Sequence, residues 1–335
     1  MPRRESGFAR YGCRAVSAVP AVESLGHGRR LRDWLGDRLL LGVTALASLA
    51  AIVVMVAIVL KVFGASRLAF DKFGIAFLWG RTWDATHDVY GALPGLFGTA
   101  VTSLMALLIA VPLAIAIALF LSELAPRGVG GIVGALVETL AAVPSVVLGL
   151  WGILVLGPFA ANHLEPWLHD TLGFIPLFSG TPQSSGIFIA GLVLAIMVVP
   201  IVASICRELF VSVPNELEEG ALALGATRWE MVRGVVLSSS RPGIAAAVIL
   251  GLGRAIGEAI AVTQVIGAGW TIQWSLFSTG DTLASRIAGQ YQGAVSKMQI
   301  SALFYLGAIL LVIGLVTNFL AQLVVRRSVL RTGGD

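Results

Sequence analysis

The chain has 335 residues, of which 57% are hydrophobic and only 13% are charged, and its mean hydropathy is +0.88. This composition excludes an ordinary soluble domain and indicates an integral membrane protein. With only two cysteines, the chain has no disulfide framework, and without a G-x-x-x-x-G-K-[ST] motif it has no P-loop. The net charge of +4 is carried mainly by arginine. In a membrane protein this excess indicates orientation in the membrane rather than nucleic-acid binding.

Residues 1–38 are polar and rich in arginine, and we predict a cytoplasmic N-terminal tail there, because no apolar segment of the signal-peptide kind follows Arg3 and Arg4 within reach. Beyond this tail the sequence predicts an all-α membrane protein with six transmembrane helices, since six apolar segments each provide the about 20 residues that such a helix needs. They are Leu39–Phe63, Leu96–Leu121, Val129–Gly157, Gly186–Ile205, Pro242–Ile266 and Ile300–Val325. Pro144 in the third segment predicts a kink or a tilt, and residues 326–335 form a predicted cytoplasmic C-terminal tail.

Arginine and lysine side chains are concentrated on one side of this predicted arrangement. They are frequent in the N-terminal tail, in residues 207–241 and after the sixth helix, and they are sparse in the loops 64–95, 158–184 and 267–299. The positive-inside rule therefore places both termini in the cytoplasm and those three loops outside, in a multi-pass protein of the plasma (inner) membrane.

The loop 212–238 has more local order than a plain connection between two membrane helices needs. Pro214 suits the first turn of a helix. An apolar stripe with helical spacing follows it, made up of Leu217, Ala221 and Leu224. Gly225 can end that helix, and Thr227 with Glu230 forms a capping-box pattern that starts a second one. The two helices are either a lid on the protein's own membrane ends or a docking element for a soluble partner.

This loop resembles the EAA loop of ABC-importer permeases, in which Glu-Ala-Ala is followed by a turn glycine and later by an aliphatic residue and Leu-Pro. Gly220 stands here where alanine is usual and Ser238 where proline is usual, but the glutamate and the turn glycine remain. In that family the loop inserts into a groove of the ATP-hydrolysing subunit. The resemblance implies ATPase contacts from Glu219, Gly220, Ala221, Leu224, Gly225, Ala226 and Trp229. It also implies that ATP hydrolysis belongs to a separate chain, so that this chain is a transporter subunit without a cofactor of its own and not an enzyme.

Arg254 and Glu258 lie near the middle of the fifth predicted helix, where a charge costs about 2.5 to 3.5 kcal/mol on insertion scales. Four residues apart on one face, they can neutralise each other, and Gly253 and Gly257 form a small-residue ridge that lets another backbone approach closely. A structural interpretation makes the pair an inter-helix salt bridge or a subunit contact. A functional interpretation makes it part of an anion path, in which the planar guanidinium donates to a tetrahedral oxyanion and Glu258 prevents overly tight binding.

Four further polar residues are candidates for the same path. Glu138, near the cytoplasmic start of the third predicted helix, is either a headgroup-level charge or a path residue. Ser145 follows a proline, where a kink frees backbone groups beside a cavity or serves packing alone. Thr263 and Gln264, one turn beyond Glu258, are predicted at the outer mouth.

The predicted outer loop 158–184 contains two histidines and two acidic residues within a short stretch. They are His163, Glu165, His169 and Asp170. Their spacing matches no standard metal site. We therefore predict no metal site and expect these side chains in a solvated loop.

The R-A-I-G-E sequence around Arg254, downstream of an EAA loop, resembles the oxyanion permeases of phosphate, sulfate and molybdate importers. Residues 81–124, 138–152 and 186–210 resemble phosphate permeases of the PstC type in particular, and the likeness covers most of residues 80–325. It implies the type I ABC importer permease (MetI-like) fold for this core and import of inorganic phosphate by alternating access. Where phosphate permeases often have Gly-Glu-Thr-Met, this chain has Gly-Glu-Ala-Ile, which removes a hydroxyl near the path.

The resemblance also implies the partners of this chain. They are a second phosphate permease of the PstA type, two ATP-binding subunits of the PstB type that hold ATP and Mg²⁺, an extracytoplasmic phosphate-binding protein of the PstS type, and membrane lipid, with no nucleic acid. Two alternatives remain open. One is the permease of a sulfate- or molybdate-type oxyanion importer, and the other is a secondary transporter or channel in which Glu258 relays protons, which the helix–glycine–helix loop disfavours.

Overall fold

The computed structural model describes residues 27–332, so most of the predicted tail 1–38 and the last residues of the predicted tail 326–335 lie outside the described residues. Within residues 27–332, six helical segments are long and apolar enough to cross a membrane. They are Gly36–Ala65, Leu93–Leu124, Ser145–Leu172, Ile187–Val211, Arg228–Gly257 and Lys297–Leu320. The predicted fold class, an all-α membrane protein with six transmembrane helices, is confirmed.

The described secondary structure consists of fourteen α-helical segments, seven short 3₁₀- or π-helical segments and one short hairpin. The helices are α1 (His27–Ala65), α2 (Arg67–Phe73), α3 (Leu93–Leu119), α4 (Arg127–Ala142), α5 (Ser145–Trp151), α6 (Gly157–Phe159), α7 (Glu165–Leu172), α8 (Ile187–Val211), α9 (Asn215–Ala223), α10 (Arg228–Met231), α11 (Leu237–Gly257), α12 (Ile260–Val265), α13 (Leu283–Gln290) and α14 (Lys297–Thr332). The strands β1 (Trp83–Asp84) and β2 (Val89–Tyr90) pair antiparallel. Wider π-helical turns, Gly152–Leu156 and Ala160–Leu164, join α5, α6 and α7 into one continuous helical rod.

The described chain divides into two compact units after Ile58, and the first of them contains only residues 27–58 of α1 among the described residues. From Gly36 to Ile58 every side chain is exposed, although the sequence there is strongly apolar. A helix that is hydrophobic on all sides is typical of a membrane span. This part of α1 is therefore suited to lipid on its surface.

The second unit, from Val59 onward, has its main core around α8, whose apolar side chains are mostly buried and which packs against α3, α4 and α11. On α3, fully buried alanines recur every four residues. They are Ala106, Ala110, Ala114 and Ala118. Small residues at this spacing let two membrane helices approach closely, which fits the extensive packing of α3 along α8.

The third membrane segment differs from its prediction. Instead of one kinked helix over Val129–Gly157, α4 ends at Ala142, the chain is extended through Val143 and Pro144, and the membrane-length rod runs from Ser145 to Leu172. Proline lacks an N–H and disfavours helical geometry at the preceding residue. Here that preference produces a complete break, because a separate apolar segment of sufficient length follows it.

The expectation of a solvated loop around Glu165 is wrong for the same reason. The rod continues through α7 to Leu172, so residues 158–172 of the predicted loop 158–184 are helical. Glu165 itself is only 1% exposed, and its Oε2 accepts a hydrogen bond from the backbone N–H of Gln183 at 2.8 Å. The histidines of this stretch remain exposed.

Candidate functional site

The fifth membrane helix is interrupted at the residues that the sequence singles out. The prediction of one helix over Pro242–Ile266 is wrong, because α11 ends at Gly257 and Glu258 has φ −74° and ψ 115°, an extended conformation. α12 then begins at Ile260. The Glu258 carboxylate compensates for this break, since its Oε1 accepts a hydrogen bond from the N–H of Ala261, one of the donors that a helix start leaves without a backbone partner. A negative charge at this position also interacts favourably with the helix dipole.

Arg254 and Glu258 form the expected ion pair despite the break. Nη2 of Arg254 lies 3.3 Å from Oε2 of Glu258. The two side chains are unequally buried, at 46% exposed for the arginine and 6% for the glutamate. The carboxylate is thus held in place by the protein, while the guanidinium keeps a face that a solute can reach.

A cavity of about 570 Å³ adjoins this guanidinium, between α8, α11 and α14. Ligand sites commonly have volumes of about 300 to 1,000 Å³. Its lining residues include Ile201, Leu250, Gly253, Arg254, Gly257, Thr317 and Asn318. A Cβ added at Gly253 or Gly257 would meet nothing within 4 Å, so the small-residue ridge faces open space here.

Two lining residues were missed by the sequence reasoning. Thr317 and Asn318 of α14 reach the cavity from the sixth helix, opposite Arg254. The hydroxyl of Thr317 donates to the carbonyl of Ile313 at 2.7 Å. The amide of Asn318 inside an otherwise apolar helix was the available signal, because polar groups at membrane depth usually face a cavity or the bundle interior.

Thr263 and Gln264 do not line this cavity. The Thr263 hydroxyl donates to the carbonyl of Ala259 at 2.6 Å and lies 3.3 Å from that of Ser285, toward α13. Gln264 packs against Gly149 of α5, and a Cβ on that glycine would overlap the amide oxygen of Gln264. In this conformation both side chains therefore connect α12 to its neighbours.

Ser145 and Glu138 also lie apart from the Arg254 cavity. Ser145 is the half-buried first residue of α5, directly after the break at Pro144. Glu138 is on α4, where its Oε1 is 3.6 Å from Nη1 of Arg207, and it lines a second cavity of about 360 Å³. The structure thus brings Arg254 and Glu258 together and leaves the other four candidates at different positions.

The segment 212–238 contains the two short helices α9 and α10, separated by a turn. Gly225 has φ +88°, which favours glycine, and α10 begins with the capping box of Thr227 and Glu230. Leu224 is 91% exposed and Trp229 64% exposed. Apolar side chains that project into solvent are typical of an interaction site and argue against a closed lid.

The remaining candidates of this segment are close to those two side chains. Glu219, Gly220 and Gly225 are exposed, whereas Ala221 and Ala226 are half-buried, with the Ala226 N–H donating to the carbonyl of Ala221 at 3.2 Å. Next to Glu219, burial and the Glu123 carboxylate raise the pKa of Glu218 above its ordinary value. The segment therefore presents a mixed acidic and apolar surface.

A family model described as "Binding-protein-dependent transport system inner membrane component" matches residues 110–329. The phosphate transport system permease protein PstC of Mesorhizobium japonicum is 38% identical to this chain, over 94% of this chain and 98% of that protein. The protein of the same name from Haemophilus influenzae is 42% identical, over 85% of this chain and 91% of its own length.

A solved chain of a bacterial ABC transporter involved in the import of the acidic polysaccharide alginate superposes with a TM-score of 0.56. It is 19% identical, and the superposition covers 88% of this chain and 98% of that one. This likeness shows a shared fold, and it confirms the expected ABC-importer permease architecture. The chain therefore belongs to the family of binding-protein-dependent transport system inner membrane components.

Proposed function

We propose that this chain is a membrane permease subunit of an ATP-driven importer of inorganic phosphate. The observation that carries the proposal is its 38 to 43% identity, over most of both chains, to relatives named phosphate transport system permease protein PstC. This likeness favours phosphate over the sulfate or molybdate alternative. It also favours an ATP-driven machine over a secondary transporter or channel.

Arg254 is the proposed contact for phosphate along the membrane path. Its guanidinium adjoins a cavity and offers planar, paired donors that match a tetrahedral oxyanion. Glu258, fixed by the Ala261 N–H and 3.3 Å from the arginine, offsets part of the positive field. Transport requires release of phosphate as well as binding. A guanidinium whose positive charge is partly offset by Glu258 therefore suits transport better than an isolated guanidinium.

The exposed surface of α9 and α10 is the proposed contact for the ATP-hydrolysing subunits. Glu219, Leu224 and Trp229 provide one acidic and two apolar groups on that surface. Closure of the ATPase would reach the membrane core directly, because α8 enters this segment and α11 leaves it. The positive-inside distribution supports an orientation with this segment and both termini in the cytoplasm.

The proposed complex contains this chain, a second permease of the PstA type, two PstB-type ATPases and a PstS-type phosphate-binding protein. The binding protein delivers phosphate to an outward-facing cavity, and alternating access carries it past Arg254 to the cytoplasm. Arg254 is 46% exposed at membrane depth in the isolated chain, which fits a path completed by a second permease.

Reconstitution tests this function. Proteoliposomes that contain the complete complex, with ATP in the lumen and binding protein outside, should accumulate radiolabelled phosphate, and excess sulfate or molybdate should not compete. Equal competition by either anion would show that the transported substrate is the wider class of oxyanions rather than phosphate alone. Proton-coupled flux through this chain alone, without ATP, would instead support the secondary transporter.

A further inference from the structure

The Arg254 cavity is apolar apart from three side chains. Among the described residues that line it, only Arg254, Thr317 and Asn318 have polar side chains. The carboxylate of Glu258 is 6% exposed, and its two oxygens are engaged by the Ala261 N–H and by the guanidinium. The lining itself therefore carries one charge, which is positive, and the two polar groups on α14 are the remaining contacts that it offers to an anion.

The polar groups of α14 belong to the helix face that is turned toward α11. Leu310, Gly314 and Thr317 line the cavity at spacings of four and three residues, and Asn318 follows Gly314 by one turn. A Cβ added at Gly314 would meet nothing within 4 Å, as at Gly253 on α11. The space beside these polar groups is thus open, and a cavity of about 570 Å³ has room for an oxyanion together with several waters.

The hydroxyl of Thr317 is prepared to accept a hydrogen bond rather than to donate one. A hydroxyl has one proton and two lone pairs. The proton of Thr317 is donated to the Ile313 carbonyl of the preceding turn, with the two oxygens 2.7 Å apart. Only the lone pairs remain for a solute in the cavity. The amide of Asn318, in contrast, can either donate or accept.

An acceptor opposite a guanidinium distinguishes between oxyanions by their protons. Inorganic phosphate near neutral pH carries at least one P–OH group, whereas sulfate and molybdate carry none. An acceptor forms a hydrogen bond with a P–OH group but repels the bare oxygen of a fully ionised oxyanion. A cavity with a cationic donor on α11 and an acceptor on α14 therefore fits phosphate better than sulfate, although both anions match the guanidinium.

We propose that Thr317 is a specificity-determining residue of the path, whose hydroxyl oxygen accepts a hydrogen bond from the P–OH group of phosphate in the Arg254 cavity. The contact is direct or passes through one bridging water, which serves almost as well. This inference rests on the proposed phosphate-import function. The binding protein selects the anion that arrives from outside, and Thr317 determines which anions can occupy the path, including those that enter it from the cytoplasm.

The test measures which anions in the lumen inhibit phosphate uptake by the complete reconstituted complex, with ATP in the lumen and binding protein outside. Phosphate preloaded in the lumen should inhibit the unsubstituted complex at a concentration about tenfold lower than sulfate does. Thr317→Val keeps the shape of the side chain but removes the acceptor, and it should weaken inhibition by phosphate about tenfold with little change for sulfate. Thr317→Ser retains a hydroxyl and should preserve most of the preference.

Two further variants separate selection from packing. Asn318→Leu removes a group that can donate to either anion, so inhibition by phosphate and by sulfate should weaken alike. Thr139→Val is the matched control for Thr317→Val. The hydroxyl of Thr139 on α4 also donates to the preceding turn, 2.7 Å from the Ala135 carbonyl, but the residue is exposed and lies outside the cavity. This control should leave inhibition by both anions unchanged.

A packing role for Thr317 predicts that Thr317→Val changes inhibition by phosphate and by sulfate in parallel, or changes neither. Either result would overturn the inference, as would an unsubstituted complex that lumenal phosphate inhibits no better than sulfate. Inhibition that arises at the ATPase subunits would also be the same with and without Thr317→Val, so it gives the overturning result. Absence of ATP-dependent phosphate uptake by the unsubstituted complex would contradict the proposed function itself.

Discussion

Arg254 and Glu258 are two neighbouring charges that the fold buries to different extents. The carboxylate has two protein partners, the Ala261 N–H and the guanidinium, and is almost fully buried. The guanidinium is half-exposed beside a cavity. A pair enclosed within the chain could only neutralise itself, whereas this half-exposed guanidinium is open to a solute or to a neighbouring subunit.

Replacing Arg254 by Gln tests this assignment directly. Phosphate uptake by the assembled complex should fall about 100-fold or more, the effect expected when an oxyanion loses a charged donor in a water-poor site. Assembly should persist, because the arginine is half-exposed and Glu258 keeps its bond to Ala261. Uptake is measured per recovered complex. The control is Arg241→Gln, which removes an exposed arginine outside the Arg254 cavity. Loss of assembly would favour the structural interpretation.

The sequence could predict this pair but not its surroundings. A spacing of four residues places Arg254 and Glu258 together whether or not the helix continues, so the ion pair was predictable. The break at Glu258 depends on where its carboxylate finds a backbone donor, which spacing does not reveal. The contribution of Asn318 depends on how α14 packs beside α11, and only the tertiary structure brings them to one cavity.

His87 in the β1–β2 hairpin makes a residue-scale prediction about pH. Its Nδ1 is 2.6 Å from Oδ2 of Asp84, and this hydrogen bond with the adjacent negative charge raises the pKa of His87 above 6.5. The pair therefore stabilises the hairpin between the lowered pKa of Asp84 and the ordinary pKa of His87, and its contribution is lost as pH rises through the raised pKa of His87.

NMR titration of the His87 ring checks this. The Asp84→Asn variant should return the pKa of His87 toward its ordinary value, whereas Asp71→Asn, an exposed change on α2, should not. The same titration midpoint in the unsubstituted protein and in Asp84→Asn would show that Asp84 does not raise the pKa of His87.

Among the elements, the pair α9 and α10 is organised by its turn. Gly225 adopts a left-handed conformation, and the N–H of Ala226 returns to the carbonyl of Ala221. These local bonds, together with Ala221 and Met231, which pack into the main core, hold the two short helices in place while Leu224 and Trp229 stay exposed. α9 and α10 are therefore folded before any partner binds, which reduces the conformational entropy lost on docking.

Glu219→Lys tests the docking role of this element. Reversing the charge on the exposed surface should weaken binding of the ATPase subunits by about 2 kcal/mol or more if the residue is central to the interface. The membrane helices should remain folded, since Glu219 is exposed. Co-purification of the ATPase and phosphate uptake provide the measurements. Asp71→Lys, which reverses the charge of an exposed carboxylate on α2, is the matched control, and normal coupling in Glu219→Lys would contradict the docking proposal.

Hydropathy predicted the number of membrane helices but misplaced the third and extended the fifth past its break at Glu258. Lipid requires a long apolar helix whatever its neighbours are, so six segments were visible without a structure. In the third segment, apolar residues continue through α4, Pro144 and α5, and composition does not show on which side of the proline the crossing lies. That choice depends on the packing of α5 against α12, which places Gly149 beside Gln264.

At the scale of the whole molecule, α8 lines two cavities, one beside the interrupted fifth helix and one nearer to the segment 212–238 that is proposed to meet the ATPase. The polar groups of both cavities come from helices that are distant in sequence: α4, α8, α11 and α14. The segment 212–238 joins α8 to α11. A movement of this segment that shifts α8 would therefore alter both cavities.

The direction of transport depends on which end of this bundle faces the cytoplasm, and cysteine labelling decides it. The labelling uses a background in which Cys13 and Cys206 are replaced. Two substitutions then each introduce one exposed thiol: Leu224→Cys in the segment 212–238, at a position that is 91% exposed, and Trp274→Cys in the loop after α12, at a position that is 72% exposed. A membrane-impermeant maleimide added to intact spheroplasts should label only the thiol at position 274. In inverted vesicles it should label only the one at position 224, and the opposite pattern would reverse the orientation and exclude cytoplasmic docking by α9 and α10.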